Sequence, residues 1–221
     1  MDLILFDLDN TLLAGDSDYE WAQYLIEKGV RDREEHEARN LHFFNAYTAG
    51  TLDIHEFLHY QLKPLATHRQ KVLKKWRDDY VATKIVPIMT DKARALVRAA
   101  LKQTEYVLIV TATNRFVTET IATEFGIKYL IGTEPEEING EFTGNVFGTP
   151  SFREGKITRL EEWLQARGLG WHSFDTTRFY SDSLNDLPLL NKVKEPIAVD
   201  PDDTLRAHAA AKGWPVISLR D

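Results

Sequence analysis

Asp7-Leu8-Asp9-Asn10-Thr11 sets two carboxylates two residues apart, directly after a short apolar run from Leu3 to Phe6. In extended backbone, residues i and i+2 share a face, so both acids can converge on one ligand. Three further sets of chemistry-bearing residues lie downstream. Thr111 closes the run Val107-Leu108-Ile109-Val110, Lys156 stands at the start of a helical stripe, and Asp182, Asn185 and Asp186 follow Tyr180-Ser181. A cation at a helix N-terminus opposes the helix dipole, which points to an anion beside it. Taken singly, each has a plain structural role: Thr111 a capping hydroxyl, Asp182 and Asp186 a helix start, Lys156 a solvated charge. Taken together, they fall where one cleft gathers them. Carboxylates suit Mg²⁺, a hard ion that prefers oxygen ligands and keeps waters. Lysine and hydroxyl donors suit a phosphoryl group, and a carboxylate can attack phosphorus to give an acyl phosphate. That combination is phosphoryl transfer.

The elements that must position these residues follow from hydrophobic periodicity. Leu3–Phe6, Tyr106–Val110, Ile127–Ile131, Arg178–Ser181, Pro196–Val199 and Val216–Leu219 are short apolar runs of the kind found in buried parallel strands. Thr90–Lys102 and the stripe Ile157, Leu160, Trp163, Leu164 are spaced as helices. Strands alternating with helices predict a doubly wound, Rossmann-like α/β fold with a parallel sheet, where ligands bind beyond the carboxyl ends of the strands. From Ala14 to Pro87 the alternation stops, and Asp18–Lys28, Arg33–Thr48 and Asp53–Leu62 are all helix-like. The expected organisation is a helical cap domain at 14–87 inserted into a catalytic core of 1–13 and 88–221. Asn139-Gly140 and Gly144-Asn145 predict a hairpin or loop excursion within Gly132–Pro150.

Composition narrows the partners. The net charge of −7 lacks the basic surface that nucleic acid demands. The absence of cysteine removes thiolate catalysis, disulfides and Cys-based zinc sites. An acid near the start and an apolar run of only four residues argue against a secretory leader. No stretch approaches the ~20 apolar residues of a membrane helix. A cytoplasmic protein acting on a small molecule is the expectation.

On these residues the chain resembles the haloacid dehalogenase superfamily of phosphatases. The motifs are Asp-x-Asp-x-Thr at Asp7–Thr11, the hydrophobic run ending in Thr111, Lys156, and the late Asp-x-x-x-Asp of Asp182 and Asp186. The helical insertion resembles the cap of the phosphoserine phosphatase branch. Asp7–Leu13 and Thr111-Ala112-Thr113 resemble a subgroup with bacterial histidinol-phosphate phosphatases. The resemblance implies a Mg²⁺-dependent phosphate-monoester hydrolase with an aspartyl-phosphate intermediate. Asp7 would be the nucleophile, and Asp9 would protonate the leaving alcohol and then activate water. Thr111 would bind phosphoryl oxygens, and Lys156 would neutralise charge and orient Asp7. Mg²⁺ would be held by Asp7, Asp182 and the backbone carbonyl of Asp9. Asp186, Asn185, Thr11 and Ala112 would support the phosphate and the acids. The phosphoserine enzymes usually carry two glycines after their Ser, a cap Glu, and a Ser-Leu-Arg-x-Arg stretch. Here Ala112 and Thr113 follow Thr111, Asp16 falls at the Glu position, and the Arg stretch is absent. An amino-alcohol phosphate such as histidinol phosphate, its ammonium facing Asp16, therefore fits better than phosphoserine.

Other readings remain at this level. A phosphomutase or phosphotransferase would use the same scaffold, and a receiver-like signalling module uses similar residue types. His55-Glu56-Phe57-Leu58-His59 is a literal HExxH zinc-protease pattern, but the common downstream His spacing is absent.

Overall fold

A computed structural model describes residues 1–220; Asp221, the last residue of the expected core, lies outside the described residues. The described residues form a seven-stranded sheet in the order β4-β3-β2-β1-β5-β6-β7. Its strands are β1 (Asp2–Phe6), β2 (Val107–Asn114), β3 (Tyr129–Ile138), β4 (Glu141–Phe147), β5 (Thr176–Ser181), β6 (Glu195–Val199) and β7 (Val216–Ile217). All neighbouring pairs are parallel except β3 with β4, an antiparallel hairpin that turns at Asn139-Gly140. The hairpin expected between Gly132 and Pro150 is this one.

β1 is central because it can be buried on both sides and both faces. Leu3, Leu5 and Phe6 have no exposed surface and Ile4 has 2%. Side chains alternate across the pleat. Ile4 and Phe6 therefore pack on one face with Val107, Ile109 and Val117, while Leu3 and Leu5 pack on the other with Leu108, Val110, Leu160 and Leu189. Full burial of such side chains stabilises the fold by about 1.5–3 kcal/mol each. A sheet covered on both faces is the doubly wound arrangement expected from the alternation.

Between β1 and β2 lie α1 (Ser17–Glu27), α2 (Arg33–Thr48), α3 (Ile54–Ala66), α4 (Gln70–Tyr80) and α5 (Asp91–Gln103). The first four form the inserted helical cap. Asp16, Asp32 and Asp53 cap the first three, each accepting backbone N–H groups of the first turn. Pro64 lies within the last turn of α3. Helix α4 was not among the segments its sequence pattern picked out: Gln70–Tyr80 is rich in Lys, Arg and Asp, and only Leu73 and Tyr80 are buried. The cap rests partly on the hairpin, where a Cβ on Gly144 would lie 3.2 Å from Ala66. The core continues with α6 (Arg115–Phe125), α7 (Glu154–Gln165), α8 (Leu187–Leu190) and α9 (Asp203–Lys212).

Strands β1, β5 and β6 each begin one or two residues before their apolar runs, and β2, β3 and β7 differ as follows. β2 runs on past Thr111 to Asn114, so Thr111 is inside the strand and not at its end. β3 begins at Tyr129, beyond Ile127, and extends through the polar stretch to Ile138 because it gains a partner in β4. β7 stops at Ile217, before Leu219.

Candidate active site

β1 pairs with β2 only up to Phe6 and Ile109, and with β5 up to Phe6 and Tyr180. Beyond those pairs three chain segments emerge side by side, at the point where strand order departs in both directions from β1. This is where an open α/β sheet leaves room for a ligand. Asp7 follows β1, Thr111 and Thr113 continue β2, and Ser181 and Asp182 finish β5.

Asp7 keeps the strand's direction, its N–H bonding to the Tyr180 carbonyl at 2.9 Å. The chain then turns through Asn10, whose φ of 55° is the left-handed region that asparagine tolerates. The turn closes with Asn10 N–H on the Gly15 carbonyl at 2.8 Å. Arg220 braces it from outside, donating to the carbonyls of Asn10 and Thr11.

Lys156 reaches Asp7 from α7. Its Nζ lies 2.8 Å from Asp7 Oδ1 and 2.6 Å from Asp186 Oδ1, with 3% of the residue exposed. These are the anions its position in the first turn of a helix called for. Gly155 permits the approach, since a Cβ there would stand 2.0 Å from the Pro150 carbonyl oxygen. Burial opposes the ammonium charge, but Asp186 and Asp7 more than offset it and hold the Lys156 pKa above the usual lysine range. Burial pushes Asp7 up to about 7; Lys156 acts against that rise, while Asp186 and Asp9 add to it.

Asp9 is held by two elements. The Ser17 N–H donates to Oδ1 at 2.6 Å, and the Thr113 hydroxyl donates to Oδ2 at 2.7 Å, with Thr111 at 3.4 Å. Burial, then Asp16, raises its pKa to about 6, and the Ser17 and Thr113 bonds work the other way. A carboxyl tuned toward neutrality can exchange a proton in both directions.

Asp182 faces Asp7 across Thr11. The single Thr11 hydroxyl lies 3.2 Å from Asp7 Oδ2 and 3.0 Å from Asp182 Oδ1, and it accepts the Asp182 N–H at 3.0 Å. One proton cannot satisfy both carboxylates. Burial, then Asp7 and Asp186, pushes Asp182 well above the usual carboxylate range. Asp7 and Asp186 share the Lys156 ammonium, and Asp182 adds a third acid across Thr11. That donor set fits a hard divalent cation bound through one or two carboxylates plus substrate oxygens and water. Among the described residues no group of three His, Cys, Asp or Glu side chains converges as an all-side-chain metal cage.

The family model described as haloacid dehalogenase-like hydrolase matches residues 4–191. The chain belongs to the haloacid dehalogenase-like hydrolase family. A histidinol-phosphatase of Neisseria meningitidis serogroup C (strain 8013) is 45% identical over 219 residues, 99% of each chain. The crystal structure of a protein of unknown function from Bordetella pertussis Tohama I is 44% identical and superposes with a TM-score of 0.94 over 99% of each chain. A phospho-aspartyl intermediate analogue of phosphoserine phosphatase, 20% identical, has a TM-score of 0.67 over 99% of this chain and 93% of that one, a likeness of fold. This haloacid dehalogenase-like hydrolase is a phosphatase.

Of the residues singled out in the hydrolase's sequence, Asp7, Thr11, Lys156, Asp182 and Asp186 meet in one hydrogen-bonded cluster, and Asp9 and Thr111 in a second whose acid acts electrostatically on Asp7. Asn185 stands at the rim, its Oδ1 accepting from Arg153 Nε at 2.8 Å. Ala112 turns its carbonyl away to the Thr133 hydroxyl at 2.8 Å. Asp16 caps α1 through the N–H groups of Asp18 and Tyr19, both at 2.9 Å, and burial, then Asp18, raises its pKa to about 6. His55, Glu56 and His59 of the HExxH pattern are all exposed on α3, with Glu56 facing Arg39.

Sequence reasoning missed five participants. Thr113 binds Asp9, and its signal was the two-residue period from Thr111 along one strand. Ser181 donates to Asp186 Oδ2 at 2.7 Å, and Ser183 meets the cap residue Tyr47, hydroxyl to hydroxyl, at 2.8 Å. Nothing local in the sequence of α2 marks Tyr47, because its partner lies 136 residues away. Arg153 was likewise unmarked.

Among the described residues no helix is long and apolar enough to cross a membrane.

Proposed function

We propose that this hydrolase cleaves phosphate monoesters of small metabolites by attack of Asp7 on phosphorus. The observation that carries the reading is the buried Asp7–Lys156 pair at the tip of the central strand. Lys156 keeps one Asp7 oxygen charged and oriented, while the other faces Thr11 and Asp182. Attack forms the Asp7–phosphorus bond and releases the alcohol, which takes its proton from Asp9. Asp9, then a carboxylate, withdraws a proton from water, which attacks phosphorus and frees Asp7 and inorganic phosphate. Thr111 donates to phosphoryl oxygens, and Asn185 supplies a further amide donor. Mg²⁺ would be held by Asp7, Asp182 and the backbone carbonyl of Asp9. When bound it supplies charge neutralisation between the acids and the phosphate dianion.

The cap, at 14–87 over a core of 1–13 and 88–221, selects the leaving group and excludes water when closed. Asp16 and Asp18 bring two half-buried carboxylates to the start of α1, each raised to about 6 mainly by burial. An ammonium group on the substrate would relieve that cost, which favours an amino-alcohol phosphate. The relative named histidinol-phosphatase points to histidinol phosphate as the first substrate to test. The proposed setting is the cytoplasm.

The test is phosphate release from p-nitrophenyl phosphate, phosphoserine and histidinol phosphate, with Mg²⁺ or excess chelator, by the wild type and Asp7→Asn. Release that needs both metal and Asp7, greatest with histidinol phosphate, is expected. Turnover by Asp7→Asn at the wild-type rate would overturn the mechanism. An unchanged substrate order in Asp16→Ala would overturn the role of Asp16.

A further inference from the structure

Arg153 immediately precedes α7 with φ 50° and ψ −120°. Glycine adopts that backbone freely, and an L side chain does so only under strain. A strained residue at the edge of an active site is held there by what its side chain does. The Arg153 guanidinium lies over the Phe152 ring, 5.0 Å from its centroid, and donates Nε–H to Asn185 Oδ1 at 2.8 Å. Its Nη2 faces the cap at Gly50, where a Cβ would come within 3.9 Å.

The Asn185 contact has a definite chemical sense. A guanidinium only donates, so it fixes the amide oxygen and turns the amide nitrogen the other way. Beside it, the hydroxyl of Tyr47 from the cap meets Ser183 Oγ at 2.8 Å. The Asn185 N–H also bonds to Ser183 Oγ at 3.2 Å, and the next residue, Asp186, holds Lys156. The amide oxygen is thus held at the rim of the core, one residue from Asp186 and two from the Ser183 that meets the cap.

We infer that Arg153 is a positioning residue for the phosphoryl site: it fixes the Asn185 carboxamide with its N–H groups toward the cleft and the cap. This rests on the reading above in which Asn185 holds phosphate. Arg153 itself touches neither substrate nor reacting atoms in this scheme; it acts through Asn185.

The experiment compares Arg153→Gly, Asn185→Ala and the double variant in the full chain with Mg²⁺, on the best substrate of the panel. Arg153→Gly is expected to melt at or above the wild-type temperature, because glycine relieves the backbone strain. Its kcat/KM falls about tenfold, mostly through KM, as for one lost charge-oriented donor. In the Asn185→Ala background the same change alters kcat/KM by less than about twofold, the signature of two residues acting as one. Arg153→Gly with kcat/KM within about twofold of wild type, or effects that multiply in the double variant, would overturn the inference. A lower melting temperature with an equal loss of activity would make Arg153 structural and overturn it too. Wild type that turns over no ester fails the hydrolase reading instead. Titration calorimetry with inorganic phosphate and Mg²⁺ then reads the same Arg153–Asn185 coupling without turnover.

Discussion

Lys156 Nζ stands 2.8 Å from Asp7 Oδ1, and the same ammonium holds Asp186 at 2.6 Å from the opposite side. The two acids would otherwise face each other, buried, with no charge between them. Asp7 is therefore aimed, and its charge favoured against burial, by a group that arrives 149 residues later in the chain.

Replacing that group is the most damaging single change expected here. Lys156→Met leaves two buried carboxylates unpaired, so unfolding free energy should drop by about 3–5 kcal/mol in urea titrations. Phosphate release should fall by about a hundredfold or more in the protein that remains folded. Asp186→Asn should be milder on both counts, since Asp7 then keeps the ammonium to itself.

Asp9→Asn removes the proton donor and acceptor but keeps an oxygen for the Ser17 N–H. Turnover should fall by about 10²–10⁴ on an alkyl phosphate. The loss should be smaller on p-nitrophenyl phosphate, whose leaving group departs without a proton. Equal losses on both esters would remove Asp9 as the acid. Thr113→Val takes away a bond that holds the Asp9 pKa down, so the basic limb of the kcat/KM profile, set by loss of the Asp9 proton, should move to higher pH.

Stability of the metal-free chain should fall as pH rises. Asp7 is raised to about 7, Asp9, Asp16 and Asp18 to about 6, and Asp182 well above its usual range, each chiefly by burial. Each binds its proton more tightly folded than unfolded, so between about pH 4 and 7 the folded chain carries more protons and loses stability with rising pH. His36, held below its usual value by burial and then Arg31, acts in the opposite sense, as do the exposed Asp79, Glu136 and Asp175, each held below its usual value first by a hydrogen bond. With chelator present, the melting temperature should be higher at about pH 5.5 than at about 7.5. Mg²⁺ should recover stability at the higher pH, where the acids it binds are deprotonated.

His55→Ala and His59→Ala should leave phosphate release, melting temperature and zinc content unchanged, because both imidazoles project from the outer face of α3. Bound zinc lost in either variant would revive the HExxH pattern as a metal site.

The legible part of this molecule was what local rules encode. The run Leu3–Phe6 announced a doubly buried strand, and Asp7 and Asp9 were conspicuous because acids at such a strand end have no packing role. Lys156 was conspicuous because it sits against a helix dipole, and its anions are where that conflict placed them. The partners of Asp9 and Asn185 were harder to see. Thr113 is an ordinary strand residue until β1 lies beside β2, and Tyr47 is an ordinary helix residue until α2 meets Ser183. Arg153 carries no signal at all in one dimension, since its meaning lies in a backbone angle. Helix α4 was obscured for another reason: its apolar face is narrow, because it covers the surface of the cap.

Sheet order also governs the birth of the protein on the ribosome. β1 leaves the exit tunnel before both of its partners, since Ile4 pairs with Val107 and Phe6 with Tyr180. Until Thr176–Ser181 has been synthesised, the strand bearing the nucleophile is an open edge, apolar on both faces, and such edges recruit other chains. A nascent chain stalled before β5 would be prone to aggregation as well as inactive.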